Sequence, residues 1–185
     1  MHDTSPLLRA KADDEPSVFE PAKLLRKGCL GLAVLAIVVV GLAGCGGDDQ
    51  SERQAEVAER SATVMPFDLD ATTHTFTHTD DGGIQTVTAD DPSDAEQIDL
   101  IRDHLQDERD NFARGNFDDP AAIHGHDMDG VAELRAGYTD INVSYTDLPD
   151  GAEMTYTTDR ADLVGAIHAW FDRQLMDHGA DAQAG

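Results

Sequence analysis

Five consecutive residues, His124-Gly125-His126-Asp127-Met128, hold two imidazoles, a carboxylate and a thioether around a glycine that lets the backbone turn tightly. Imidazole nitrogens suit copper, nickel and zinc, and a thioether shifts the preference toward Cu(I). Further along, His168, Asp172 and Met176 recur at helical spacing as one stripe, and His178 falls in the last turn of the same helix. If that helix meets the loop in space, His124, His126, Met128, His168 and His178 are the candidate ligands of a Cu, Ni or Zn site. The competing reading is plainer: Asp127 or Asp129 caps a following helix, His168 pairs with Asp172, and His178 is a helix C-cap. His74 and His78 share one face of a strand but lie about 13 Å apart along it, which suits structural positions. His104 and Glu108 form a helical i, i+4 pair of the same structural kind.

Signals for catalysis are weaker. Ser93 and Ser144 stand in no G-x-S-x-G context, no glycine-rich phosphate loop is present, and no lysine follows Lys27 to form a Schiff base. Carboxylates are so abundant that an acid and base pair can be named anywhere.

The elements that position these side chains follow from the pattern. Thr73 to His78 and Ile84 to Val87 alternate around Asp80-Asp81-Gly82-Gly83, which predicts a hairpin. Asp91 then offers an N-cap with Pro92 behind it, opening a helix to Arg114 whose stripe is Ile98, Ile101, Leu105 and Phe112. A loop from Asn116 to Asp129 leads to a short helix through Val131, Leu134 and Arg135. Ile141, Val143 and Tyr145 alternate, Leu148-Pro149-Asp150-Gly151 turns, and Met154 and Tyr156 alternate back. Asp159 caps a last helix with Leu163, Val164, Ile167, Trp170, Phe171 and Leu175 on its apolar face, and the tail after Gly179 reads as frayed. The fold class is therefore α+β: two hairpins in a small antiparallel sheet with helices on one face, in an order that suggests a ββα duplication.

Composition bounds the setting. Up to residue 44 the acids and bases balance, so the net charge of −24 belongs to the remainder, which has eight Arg, no Lys and 32 Asp plus Glu. Such self-repulsion is screened at high salt, as expected of an exported protein of a halophile; the alternative use of the charge is cation binding. With no basic patch, nucleic acid is excluded as a partner. The two cysteines are Cys29 and Cys45, so CxxC zinc and redox sites are excluded.

Leu42-Ala43-Gly44-Cys45 resembles the lipobox of bacterial lipoproteins: it follows a basic segment (Lys23, Arg26, Lys27) and an apolar run from Leu30 to Val40. The resemblance implies removal of residues 1–44, lipid on Cys45, and an extracytoplasmic protein held on the membrane, with no thiol left for a disulfide. The rival is one uncleaved transmembrane helix, because Gly28 to Gly47 is uncharged over about the 20 residues a span needs. Residues 45–65 then read as a flexible acidic tether, with no apolar face to dock, and 66–182 as a single domain. The motifs DGGIQTV (81–87), DPAAIHG (119–125), LPDGAEMTYTT (148–158) and HAWFDRQLMDHGADA (168–182) resemble a small uncharacterised bacterial family often labelled aspartate carbamoyltransferase. True members of that enzyme class are two-domain α/β proteins with a Ser-Thr-Arg-Thr phosphate loop, which this chain lacks, so that activity is not expected.

The leading expectation is a lipid-anchored extracytoplasmic binding domain whose ligand is a transition-metal ion. One alternative is a structural or interaction domain of the envelope, with Trp170 and nearby apolar groups packing a protein partner or a second copy. The other is an enzyme of unknown reaction.

Overall fold

The structure, a computed structural model, describes residues 46–185; the lipobox-like segment and Cys45 lie outside the described residues. Strands β1 (Thr72–Thr79) and β2 (Gly82–Ala89) form the first hairpin, and β3 (Asn142–Leu148) and β4 (Gly151–Thr157) the second. Between them lie α2 (Ala95–Phe112), α3 (Asp118–His124) and α4 (Val131–Gly137), and α5 (Ala161–His178) follows the second hairpin. An N-terminal helix α1 (Gly46–Val64) and a short strand β5 (Ala182–Ala184) complete the chain. No helix among the described residues is long and apolar enough to cross a membrane.

The α+β class is as the alternation predicts, with two hairpins and helices on one sheet face. Inward positions Thr72, His74, Phe76, Val87, Ala152, Met154 and Tyr156 are buried, while their neighbours are half-exposed. The sheet has five strands in the order β3-β4-β2-β1-β5, so the second strands of the hairpins pair at its centre, antiparallel, with Gln85 opposite Met154. The helices then cross. Helix α2 follows the first hairpin yet packs most on β4 and β3 of the second, and α5 follows the second hairpin yet packs on β1 and β2. This reciprocal arrangement carries the end of α5 to the inner face of β1.

The core between sheet and helices is aromatic. Trp170 meets Phe112 and Tyr156 edge-on, with ring centroids 5.6 and 5.5 Å apart, the geometry preferred by aromatic quadrupoles. Gly130, with φ of 77°, lets the start of α4 approach α5: a Cβ there would stand 2.1 Å from the Ala166 carbonyl oxygen. Trp170 is 1 % exposed, so it belongs to this core and offers no surface to a partner.

Three local expectations are corrected. Asp91 closes a tight turn onto the Ser93 N–H (2.9 Å), and Asp94 caps α2 instead, accepting from the Gln97 N–H. At α5 the cap position is Arg160, whose side chain makes no capping bond, and it is Arg160 that pairs with Asp140 and Asp162. The tail is not frayed: β5 pairs in parallel with β1, His74 opposite Ala182, which makes the sheet mixed rather than purely antiparallel.

The largest correction concerns the segment read as a flexible tether. Residues 46–64 form α1, which docks on α3 and α5 almost entirely through polar side chains. The last carbonyls of a helix have no intrahelical partner, and α1 supplies donors to them. Arg60 donates to the Ile123 carbonyl (3.2 Å), Arg53 to that of His124, and Gln50 and Gln54 to that of Met176. Val57 is the buried apolar anchor, contributing about 1.5–2 kcal/mol, and each hydrogen bond adds about 0.5–1.5 kcal/mol.

Candidate ligand-binding site

The reciprocal crossing brings together side chains from β1, α2, α3 and α5. His74 occupies the inner face of β1, His124 the last residue of α3, and His178 the last residue of α5. The rings of His74 and His178 lie 5.4 Å apart and nearly parallel, and those of His124 and His178 5.0 Å apart at 74°. All three residues are buried and line one cavity of about 40 Å³. At about 10–15 Å³ for each water, the space suits three waters or a ligand of a few heavy atoms.

Several residues that line this cavity hold polar atoms that are not satisfied. Among the described residues, Nδ1 of His74, Nε1 of Trp170 and Oε1 of Gln174 are buried without a hydrogen-bond partner, and all three residues line the cavity. An orphaned buried donor or acceptor costs about 1–3 kcal/mol, and of the five such side-chain atoms among the described residues, on Ser61, His74, Arg109, Trp170 and Gln174, three belong to residues around this one space. Trp170, Gln174 and His178 follow each other at i, i+4 and i+8, one stripe along α5.

A buried electrostatic frame holds the histidines. His124 Nδ1 lies 2.8 Å from Asp177 Oδ2, and Asp177 also accepts from Arg53 (2.7 Å) and Arg173 (3.0 Å). Burial alone would raise the Asp177 carboxyl, but the bonds from His124, Arg53 and Arg173 outweigh it and hold it well below the usual carboxylate range. A carboxylate on Nδ1 fixes the imidazole tautomer and leaves Nε2 as the free base, able to take a proton or bind a cation.

Burial pushes His74 down to about 4, with the neighbouring imidazoles adding to the shift, and His178 down to about 3 for the same reasons. His124 is lowered too, by burial, against the pull of Asp177. The three rings are therefore uncharged at neutral pH. At the other end of the cavity Glu108, 5 % exposed, is pushed up to about 8 by burial, despite the Asn111 amide that donates to it and with Asp119 adding to the rise. His104 and Asp119 line the cavity beside it.

The five residues singled out in the sequence divide. His124 and His178 meet at the cavity; His126 is exposed, and Met128 is packed in the core at 5 % exposure. His168 stands at the other end of the sheet, its Nε2 donating to the carbonyls of Gly82 (2.8 Å) and Thr79 (3.1 Å), while its ring stacks 4.0 Å from that of His78. It is His78, not His168, that pairs with Asp172, at 3.3 Å. The sequence-derived ligand set thus does not converge as a set. Sequence reasoning missed His74, Gln174 and Trp170, although alternation with Phe76 puts His74 on the core face and helical spacing puts Gln174 one turn before His178. Among the described residues no three His, Cys, Asp or Glu side chains stand ready-made as a metal cage.

Comparison with protein-family models, with curated proteins and with solved structures finds no match to this chain.

Proposed function

We propose that this is a lipid-anchored extracytoplasmic binding domain that takes a small ligand into the cavity between α5, α3 and the inner face of β1. One observation carries the reading: three residues that line a single cavity, His74, Trp170 and Gln174, each hold a buried polar atom without a partner in the chain. The lipobox-like Leu42-Ala43-Gly44-Cys45 supports the anchor and the compartment. Two measurements test it. Cys45→Ser should move the full chain out of the membrane fraction and abolish its labelling with palmitate; retention in the membrane would instead support the transmembrane span. A thermal-shift screen of metal salts and small polar molecules should yield a ligand that stabilises the wild type and does nothing to Gln174→Leu/Trp170→Phe. A screen in which every hit acts equally on that variant removes the cavity from consideration.

The outer face of the sheet favours a second reading, self-association in the envelope. Its strand residues include Thr73, Thr75, Thr77, Thr86, Thr88, Thr155 and Thr157, with Glu153 the single charge. For a chain of net charge −24, that face is where a second copy can approach without like-charge repulsion. Sedimentation at high salt decides: a dimer lost in Thr75→Asp/Thr86→Asp supports it, and a strict monomer ends it.

A further inference from the structure

We infer that the ligand of the cavity is a divalent first-row transition-metal ion, zinc or copper, held by Nδ1 of His74, Nε2 of His124, a ring nitrogen of His178 and Oε1 of Gln174. The inference rests on the cavity being the binding site, and it names a donor set that differs from the one suggested by the sequence.

Four observations carry it. Nδ1 of the buried His74 ring has no hydrogen-bond partner. Burial keeps the ring uncharged, and in the tautomer with its proton on Nε2 the unpartnered Nδ1 is a free lone pair. His124 is committed through Nδ1 to Asp177, and a carboxylate behind a histidine is the usual support of a metal-binding imidazole. Gln174 Oε1 is a second buried acceptor without a donor, one helical turn from His178. Finally, the Asp119 carboxylate lines the same cavity and would offset part of the charge of a cation there.

Three imidazoles and an amide oxygen form a borderline N3O set, and imidazole suits zinc and copper. The cage is open as it stands, since the rings neighbour one another without converging their nitrogens. Zn–N bonds of about 2.0–2.1 Å require the rings to turn about their terminal torsions, which are broad and soft. The orphaned His74 and Gln174 atoms lose nothing by turning.

The test must separate this site from the many surface carboxylates, so it is run at high salt with excess Mg2+, which occupies oxygen sites and competes poorly for imidazole. Co2+ added to the domain should give the visible absorption of a four-coordinate ion at one equivalent, and Zn2+ should displace it. His74→Leu and His178→Leu should each abolish the band. Both remove a buried histidine from apolar surroundings and should fold, as far-UV circular dichroism will show. Asp177→Asn keeps all four donors and should weaken binding about 10–100-fold. A band that persists in the two leucine variants, or Co2+ and Cu2+ that bind only in Mg2+-sensitive excess, overturns the metal inference. If metals fail in this way while a small polar molecule stabilises the wild type and not Gln174→Leu/Trp170→Phe, the metal is wrong and the cavity reading survives. If neither binds, both fall.

Discussion

Asp177 and His124 come from the last turns of two different helices and meet at 2.8 Å, each with a side chain 1 % exposed. Two arginines, Arg53 from α1 and Arg173 from α5 itself, close on the same carboxylate. Asp177 is thus the point at which three helices are fastened together. Asp177→Ala should cost about 3–5 kcal/mol, because it strands cationic partners in a partly buried place. Arg53→Ala, which leaves Asp177 two partners, should cost about 1–3 kcal/mol. Urea titrations of the domain check both; equal, small effects would show that the three-way junction is not structural.

Stability should peak near pH 6.5. His74 and His178 stay uncharged in the fold down to about 4 and about 3, against 6.5 unfolded. Below pH 6.5 the unfolded chain takes up protons that the folded chain refuses, so stability falls by about 1.4 kcal/mol per pH unit for each imidazole. Glu108 acts in the opposite sense, keeping its proton up to about 8 in the fold against 4.5 unfolded. Between those values rising pH removes stability. On the acid side His74 and His178, with His124 and His104 lowered by burial in the same sense, outweigh one carboxyl, and toward pH 8 Glu108 sets the slope. Glu108→Gln should steepen the acid limb, where the carboxyl opposes the imidazoles, and flatten the alkaline one in urea midpoints measured from pH 4.5 to 8.

His168 and His126 should separate structure from binding. His168→Ala removes the donor that pins the turn between β1 and β2 through the Gly82 and Thr79 carbonyls, and should cost about 1–3 kcal/mol. His126 is exposed, and its replacement should be neutral within about 0.5 kcal/mol. Neither change should alter ligand binding at the cavity, as calorimetric titration will show; a loss of binding in either would put the site elsewhere.

The hairpins and the two long helices were legible because alternation and helical periodicity are local. Thr73 to His78 can be read from six residues; α1 cannot, since its dock consists of Arg53, Arg60, Gln50 and Gln54 reaching carbonyls more than sixty residues away. A helix that binds by capping other helices has no hydrophobic stripe to find. Strand β5 was equally silent, Ala182-Gln183-Ala184 having neither alternation nor bulk. The site was half legible. His124 and His178 stood out by type, but His74 was set aside because its strand partner His78 lies too far off to share a ligand. Its true neighbour, His178, is 104 positions along the chain.

Salt should stabilise the fold strongly. All eight Arg of the chain after residue 44 are set against 32 acids, and most of those Arg are already engaged with carbonyls or carboxylates. Raising KCl from about 0.01 to 1 M shortens the Debye length from about 30 to about 3 Å and removes the residual repulsion. Melting temperature should rise monotonically across that range, and a flat profile would show that the acidic surface carries no strain.

The crossing of the helices also bears on the order in which the molecule is made. Neither hairpin with its helix owns the cavity: His74 comes from the first, His178 from the second, and His124 from the connection between them. The contacts that define the cavity are therefore among the longest-range in the chain, and pairing across such separations is slow to form. Ligand competence should be the last property to appear in refolding, after far-UV circular dichroism has recovered. Split between the two halves, the chain should bind nothing until the fragments reassociate, so that occupancy of the cavity reports a finished molecule.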